Sequence, residues 1–246
     1  MTEISLELVP RTAEALCKEL ALVKQHLPVI DRINIPDILR FDLRSWEGCR
    51  LAAENFSHTI PHLRAIDFDL SKPLPILNDL TGKGIEAVLV ITGDPPQDMS
   101  RRSYRTSCID FISRLKRDLP SLKIYAGIDP YRSGIKAEID YVRTKIDAGA
   151  DGFFTQPFFD LRLMDLYRDQ LPEIEVWWGV SPVMSLNSQH YWENKNNAVF
   201  PPDFKPTLEW NRHFAIDALN FVRNGKGNIY FMPIRTDIQK YLGGLL

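Results

Sequence analysis

Apolar and polar positions along this chain follow the order of alternating strands and helices. Short apolar runs, typical of buried strands, are each followed by a segment in which apolar residues recur at helical spacing. In the first such segment Leu16, Leu20 and Val23 lie on one face. The pattern predicts strands at 4–9, 29–35, 61–66, 85–91, 123–126, 153–155, 175–180 and 228–232. It predicts helices at 12–25, 46–56, 75–81, 103–117, 134–148, 162–170, 206–224 and 236–242.

This alternation decides the expected fold class. A strand repeatedly followed by a helix is typical of parallel α/β proteins, and a (β/α)8 TIM barrel needs about 250 residues. The chain has 246 residues, so we predict one α/β domain over 1–246, a single (β/α)8 barrel. A doubly wound open sheet is the alternative, but no G-x-G-x-x-G follows the first strand. Segment 181–204 is predicted to fold over one face.

Composition narrows the class of partner. The chain is 44% apolar and 25% charged, with a formal net charge of -2 and scattered basic residues. Nothing in this pattern indicates a nucleic-acid or membrane surface, so a small-molecule ligand is expected. Cys17, Cys49 and Cys108 lack the spacing of metal ligands, and we expect buried free thiols in a reducing cytoplasm and no metal. No secretory signal or membrane span is predicted.

Two polar residues interrupt strand runs where a barrel keeps its active site. Glu7 stands between Leu6 and Leu8, and burial there would raise its pKa and make it a candidate general acid. A buried ion pair with an arginine or lysine is the alternative. Gln156 follows the sixth strand, after a helix that Gly149 closes. It either contacts a ligand or anchors the following loop.

Other strand ends carry weaker candidates. Asp94 follows Gly93 on a turn before two prolines, and it either accepts a ligand hydrogen bond or caps the turn. His62, at the start of the third strand, is more typical of a structural group, and Lys145 of a solvated helix face. Arg235 comes directly after the eighth strand, where barrels often bind anions, and is a candidate substrate anchor.

With these residues identified, the chain resembles the methylenetetrahydrofolate reductase family over nearly its whole length. Members of this family are (β/α)8 barrels that reduce a folate-bound methylene group to methyl with a flavin and a nicotinamide donor. The resemblance is carried by the order and spacing of motifs at 6–10, 61–63, 92–96 and 145–160, with weaker support from 179–183 and Arg235.

The resemblance implies a role for each matching position. Glu7 is implied as the acid that opens the folate imidazolidine ring to an iminium, and Asp94 as a neighbour of the flavin and the pterin. FAD and either NADH or NADPH are the implied cofactors. The implied flavin contacts are His62, Thr92, Gly93, Asp94, Glu138 as the acidic ribose contact and Lys145 as the diphosphate contact. The implied substrate contacts are Gln156, Leu186 and Arg235.

The chain departs from the family pattern mainly on the flavin side. Gly127 stands where the family has a tyrosine, Tyr141 where it has an asparagine, and Thr144 where it has an arginine. Losing that arginine removes a charge-assisted contact worth about 1.5 to 3 kcal/mol. Two alternatives therefore stay open: flavin is retained through His62, Asp94, Glu138 and Lys145, or it is held weakly or not at all. Without flavin, nicotinamide would pass hydride directly to the iminium. Leu186 replaces a phenylalanine, and 34–37 replaces the usual hydroxyl-bearing end of the second strand.

Three functions remain open at this point. The first is a folate-dependent oxidoreductase of the methylenetetrahydrofolate reductase type. The second is a folate-binding one-carbon or methyl transferase that keeps Glu7 and Gln156 but has lost hydride transfer. The third is a non-catalytic barrel that serves a partner subunit, with 187–197 either as its contact surface or as a lid over an active site. The sequence also leaves a homo-oligomer open.

Overall fold

A computed structural model describes residues 2–81, 85–95, 102–225 and 227–246. Within these residues, eight parallel strands close into a barrel in chain order, which confirms the predicted (β/α)8 fold. The strands are β1 (Ile4–Glu7), β2 (Arg32–Ile35), β3 (His58–Arg64), β4 (Ala87–Ile91), β5 (Lys123–Ile128), β6 (Gly152–Phe158), β7 (Glu175–Val180) and β8 (Asn228–Phe231).

Helices surround the barrel and fill the connections between strands. They are α1 (Ala13–His26), α2 (Ser45–Ala52), α3 (Leu77–Leu80), α4 (Cys108–Asp118), α5 (Ile135–Asp147), α6 (Leu161–Gln170), α7 (Leu186–Asn196), α8 (Leu208–Asn224) and α9 (Ile238–Leu242), with a 3-10 turn at Ala65–Asp67. Side-chain caps set several helix starts: Thr12 accepts from Ala15 N and Ser107 from Asp110 N. In the described part of the chain, no helix is both long and apolar enough to cross a membrane.

Strand side chains alternate between two cores. On the outer side, residues such as Leu6 and Leu63 pack with the helices in one large cluster. On the inner side, Tyr125, Phe154, Trp177 and Tyr230 fill the barrel, and we call these four residues the interior aromatic cluster. Phe154 stacks on Trp177 with ring centroids 5.2 Å apart. The barrel interior is thus a packed floor beneath the carboxyl ends of the strands.

Glu175, the first residue of β7, forms hydrogen bonds with two members of the interior aromatic cluster at the amino-terminal end of the barrel. Its Oε1 accepts hydrogen bonds from Tyr125 Oη and Trp177 Nε1, both at 2.8 Å. Its Oε2 accepts from Lys123 Nζ at 2.5 Å. Because Tyr125 and Trp177 are buried, these donors have lost water and depend on the carboxylate.

We expect Glu175→Ala to lower the free energy of unfolding by about 2 to 4 kcal/mol. The substitution leaves a buried phenol and a buried indole N–H without their acceptor, each at a cost of about 1 to 3 kcal/mol. Thermal denaturation measures the effect, at about 2 to 4 °C per kcal/mol for a chain of this size. Glu173→Ala, an exposed glutamate two residues earlier, is the matched control. Equal melting temperatures for the two variants would contradict the assigned role.

The structure corrects two strand boundaries that matter for function. β3 begins at His58, so His62 lies inside the strand and not at its start. β6 continues to Phe158, with a register shift between Phe154 and Pro157. Gln156 therefore lies within β6 at this irregularity and not after the strand. Proline at 61 and 157 obscured both strands, because proline normally marks a strand end or a bulge.

Other boundaries also differ from the prediction. The helix predicted from 103 begins at Cys108, because Tyr104 N and Thr106 Oγ1 are bonded to the backbone of the segment after β3. The segment predicted at 181–204 to fold over one face contains the unpredicted helix α7. Cys17 is exposed, contrary to expectation, since it lies beside the core-facing stripe of α1. The sequence also predicts that Gly82 and Gly84 close the helix at 75–81, and these two glycines lie outside the described residues.

Candidate active site

A cavity of about 700 Å³ opens at the carboxyl ends of the strands. The end of α7 forms part of its wall through Trp192, Lys195, Asn196 and Asn197. Predicted site residues from several different strands or their following loops and helices also line it: Glu7, His62, Thr92, Gly93, Asp94, Lys145 and Gln156. Folding thus brings these residues into one site, whereas three further candidates lie elsewhere.

Glu7, the last residue of β1, is the acidic group at the cavity floor. It is 8% exposed, and its Oε2 accepts a hydrogen bond from Asn34 Nδ2 at 3.0 Å. Burial raises the pKa of Glu7 to about 8, although the bond from Asn34 lowers it in part. Tyr230, on the neighbouring strand β8, is also buried, and its hydroxyl donates to the Thr155 carbonyl. At neutral pH, Glu7 is therefore a protonated carboxylic acid that faces the cavity.

His62 lies beside Glu7 but does not form an ion pair with it. Its Nε2 is 3.8 Å from Glu7 Oε2 and 3.2 Å from Asn34 Nδ2. Burial lowers the pKa of His62 to about 3. Between about pH 3 and about pH 8 both groups are therefore mostly neutral. The free energy needed to remove two charges from water exceeds the electrostatic attraction between them at this distance. Among the described residues, no arginine or lysine forms an ion pair with Glu7, which speaks against the alternative of a buried glutamate paired with such a residue.

The loop after β4 carries Thr92, Gly93 and Asp94 along the rim of the cavity. Gly93 has φ +82°, and a Cβ there would come within 2.9 Å of Arg64 Cβ, so only glycine suits this turn. Arg64 Nη2 donates to the Asp94 carbonyl, and Arg64 Nε donates to Asp67. Asp94 is exposed. Its backbone is held while its carboxylate remains accessible to a ligand.

Gln156 is exposed on the cavity wall although both neighbours in β6 are buried. The register shift next to it explains this placement, since an irregularity in a strand changes the direction of the side chain. Thr155 holds the backbone by accepting a hydrogen bond from Gly179 N at 2.9 Å. In the described structure, the Gln156 side chain makes no hydrogen bond that would anchor the loop, which favours the ligand interpretation.

The residues expected at the ribose and diphosphate of a flavin form a closed cluster. Glu138 is fully buried, and it accepts hydrogen bonds from Asp129 N and Arg132 Nη2. Lys145 is also buried, contrary to the expectation of a solvated lysine, and its Nζ donates to the Gly127 carbonyl at 2.5 Å. Burial lowers the pKa of Lys145 to about 8. Lys145 lines the cavity, whereas Glu138 does not.

Tyr141 adds to this cluster where the resemblance implies an asparagine. Lys145 Nζ lies 4.1 Å from the centre of its ring, and the Arg132 guanidinium lies 4.8 Å from it on a cation–π contact. At Gly127, by contrast, an added Cβ would meet nothing within 4 Å. The two departures from the family pattern therefore have opposite consequences: Gly127 leaves open space, whereas the ring of Tyr141 fills space beside Lys145 and Arg132.

Two predicted substrate contacts lie away from the cavity in this arrangement. Leu186, the first residue of α7, is 61% exposed. Arg235 is exposed, with φ 54° in the loop after β8, while its neighbour Ile234 does line the cavity. Neither side chain is among those that bound the cavity.

Sequence reasoning missed Asn34 and Arg132 as members of the site. Asn34 stands between Ile33 and Ile35 in an apolar strand, the same signal that identified Glu7, and this signal could have found it. Arg132 follows β5 in a loop without a recognisable motif, and only the tertiary structure reveals it.

Comparison with known proteins gives a consistent result. The family model of methylenetetrahydrofolate reductase matches residues 46–213. The 5,10-methylenetetrahydrofolate reductase of Pectobacterium carotovorum subsp. carotovorum is 28% identical over 149 residues, which cover 57% of this chain and 49% of that protein. The protein of the same name from Escherichia coli (strain K12) is 25% identical over 146 residues, again 57% and 49%. The matched part thus spans about half the length of these relatives.

Among solved structures, an oxaloacetate acetylhydrolase matches with a TM-score of 0.54 at 12% identity. The match covers 96% of this chain and 76% of that chain. At this identity the likeness concerns the fold alone.

Proposed function

The chain belongs to the methylenetetrahydrofolate reductase family, and we propose that it reduces 5,10-methylenetetrahydrofolate to 5-methyltetrahydrofolate with FAD and either NADH or NADPH. The observation that carries this proposal is a neutral carboxylic acid, Glu7, at the floor of a large cavity at the carboxyl ends of the strands. The family assignment by itself supports a folate-related oxidoreductase. The chemistry of Glu7 supports the specific reaction that we propose.

Glu7 supplies the proton for the first step. It protonates a nitrogen of the imidazolidine ring, one carbon–nitrogen bond breaks, and the one-carbon unit becomes an iminium on the other nitrogen. Hydride addition to the iminium carbon then gives the methyl group. Only a protonated carboxyl can perform the first step, and burial keeps Glu7 protonated at neutral pH. Gln156 and Asp94, which both line the cavity, offer amide and carboxylate partners for the pterin.

The cavity suits a flavin in part. Thr92, Gly93, Asp94 and His62 line it, and Gly127 adds open space. Lys145 offers a cation for a diphosphate because it lines the cavity. Within the described structure its ammonium group donates one hydrogen bond to the Gly127 carbonyl, and its other N–H donors remain for a ligand. When bound, FAD supplies the hydride. Glu138 does not fit the ribose role that the resemblance implies, because both of its oxygens are engaged by the protein.

The end of α7 supports a lid over the site more than a contact surface for a partner subunit. Trp192 is buried against Phe159, and Lys195 to Asn197 line the cavity. A segment in this position excludes water from a hydride transfer. The proposal includes a cytoplasmic location, as expected from the sequence, and a folate as the partner.

A spectrum and a turnover assay test the two parts of this proposal. We expect the purified protein to show flavin absorbance or to take up added FAD, and to consume NADH or NADPH steadily when methylenetetrahydrofolate is present. Steady turnover excludes a transferase and a non-catalytic barrel. Turnover without flavin absorbance or FAD uptake would overturn the FAD part and leave direct transfer from nicotinamide. Absence of turnover with either donor, in protein that binds FAD, would overturn the reaction.

A further inference from the structure

Buried polar side chains at and behind the cavity floor form a connected chain of hydrogen bonds. Ser5 and Asn34 are both fully buried and neither bounds the cavity. Ser5 Oγ lies 2.7 Å from Asn34 Oδ1, and Asn34 Nδ2 lies 3.0 Å from Glu7 Oε2 and 3.2 Å from His62 Nε2. The β1–β2 register, which pairs Glu7 with Asn34, produces this arrangement.

The distances around Ser5 decide which way the Asn34 amide points. A separation of 2.7 Å is typical of an O–H···O bond, so the Ser5 hydroxyl donates to the amide oxygen. If the amide were reversed, the Ser5 hydroxyl would accept from the amide nitrogen, and among the described residues its proton would be left with the Arg32 carbonyl at 3.4 Å. That distance is long for a hydroxyl donor. The amide nitrogen therefore faces Glu7 and His62.

We propose that Ser5, through Asn34, fixes where the protons of Glu7 and His62 are. The two amide hydrogens of Asn34 occupy Glu7 Oε2 and His62 Nε2 as acceptors. The acidic proton of Glu7 is then on Oε1, and the ring proton of His62 is on Nδ1. Asn34 and Ser5 are positioning residues, and their part in catalysis rests on the proposed function of Glu7.

This arrangement leaves two donors for a ligand. Within the described structure, the only side-chain hydrogen bond of Glu7 goes through Oε2 and that of His62 through Nε2. Glu7 Oε1–H and His62 Nδ1–H are therefore uncommitted, and both residues line the cavity. A reversed amide would take up both protons, because its oxygen would accept from Glu7 Oε2 and His62 Nε2. The orientation of one buried amide thus determines whether Glu7 can donate its proton.

The tautomer of His62 reports this orientation directly and needs no substrate. In a long-range proton–nitrogen correlation spectrum of protein labelled with nitrogen-15 histidine, we expect a neutral His62 ring with hydrogen on Nδ1 at pH 7. The spectrum of His62→Gln assigns the signal among the five histidines. In Ser5→Ala the amide loses the bond that orients it, and we expect the tautomer ratio of His62 to change by about fivefold.

Ser181→Ala is the matched control, because Ser181 is a buried serine at the carboxyl end of β7 whose hydroxyl donates to the Met232 carbonyl. It should leave the His62 signal unchanged. Hydrogen on Nε2 in the wild type, or on both nitrogens, would overturn the proposal. An unchanged tautomer in Ser5→Ala would remove Ser5 from it. If the tautomer is as expected and no folate is reduced, the proposed function fails while the proton arrangement stands.

Discussion

Replacing Glu7 by glutamine is expected to lower the rate of methylenetetrahydrofolate reduction by about 10²- to 10⁴-fold, the range for loss of a positioned general acid. Glutamine has nearly the same shape and still accepts from Asn34, but it carries no acidic proton. Oxidation of the nicotinamide with another electron acceptor should continue at the wild-type rate, since no step of it needs this proton. Steady-state assays of both reactions measure the difference.

The controls separate chemistry from folding. Glu14→Gln changes an exposed glutamate on α1, paired with Lys18, and should leave both reactions unchanged. A melting temperature of Glu7→Gln no lower than that of the wild type excludes misfolding as the cause. Loss of both reactions together would identify Glu7 as a structural group and contradict its role as the acid.

Above pH 8, kcat/KM for the folate is expected to fall about tenfold per pH unit. Glu7 has a pKa raised to about 8 by burial, and only its protonated form supports ring opening. Lys145, with a pKa lowered to about 8 by burial, titrates in the same range. The two are separable, because loss of the Lys145 charge affects cofactor binding and hence nicotinamide oxidation with another acceptor, whereas ionisation of Glu7 does not. A kcat/KM for the folate that stays constant up to about pH 10 would contradict the assignment.

The raised pKa of Glu7 also predicts how the free energy of unfolding depends on pH. The folded pKa of Glu7, about 8, is above its ordinary value of 4.5. Its contribution to folding is therefore fully present below pH 4.5 and is lost as the pH rises to about 8. His62 acts in the opposite direction between pH 6.5 and about 3, but it is common to the wild type and Glu7→Gln. The variant should gain stability relative to the wild type from pH 4.5 to pH 8, measured by denaturant unfolding at each pH.

Burial keeps Glu7, the proposed general acid, neutral, and this burial lowers the stability of the folded protein at pH values where the unfolded chain would ionise the group. The loss reaches several kcal/mol at pH 8, at about 1.4 kcal/mol for each pH unit that separates the folded pKa from the ordinary one. At the opposite end of the barrel, the hydrogen bonds of Glu175 instead stabilise the folded protein, because its carboxylate accepts from two buried donors. The two ends of one barrel thus use buried carboxyl groups for opposite purposes.

The sequence by itself determined the fold and much of the site. Apolar runs at strand length alternate with helical periodicity, and this period constrains the backbone before any tertiary contact forms. An ionisable residue within such a run, as at Glu7, is buried wherever the strand is buried, so the local sequence indicates a raised pKa, although not its size or its hydrogen-bond partners. The sequence also placed Gln156 near the carboxyl end of the sixth strand, but proline hid that the strand continues to Phe158 and includes Gln156.

Only the tertiary structure decided which polar groups face each other across strands and loops. Asn34 reaches Glu7 and His62 through the register of β1, β2 and β3, and register is not encoded in any one segment. Lys145 looked like a surface lysine because helical periodicity does not show the loop after β5, from which Arg132 and Asp129 close around Glu138. Partners distant in sequence set hydrogen bonds, burial and pKa values, and these require the folded chain.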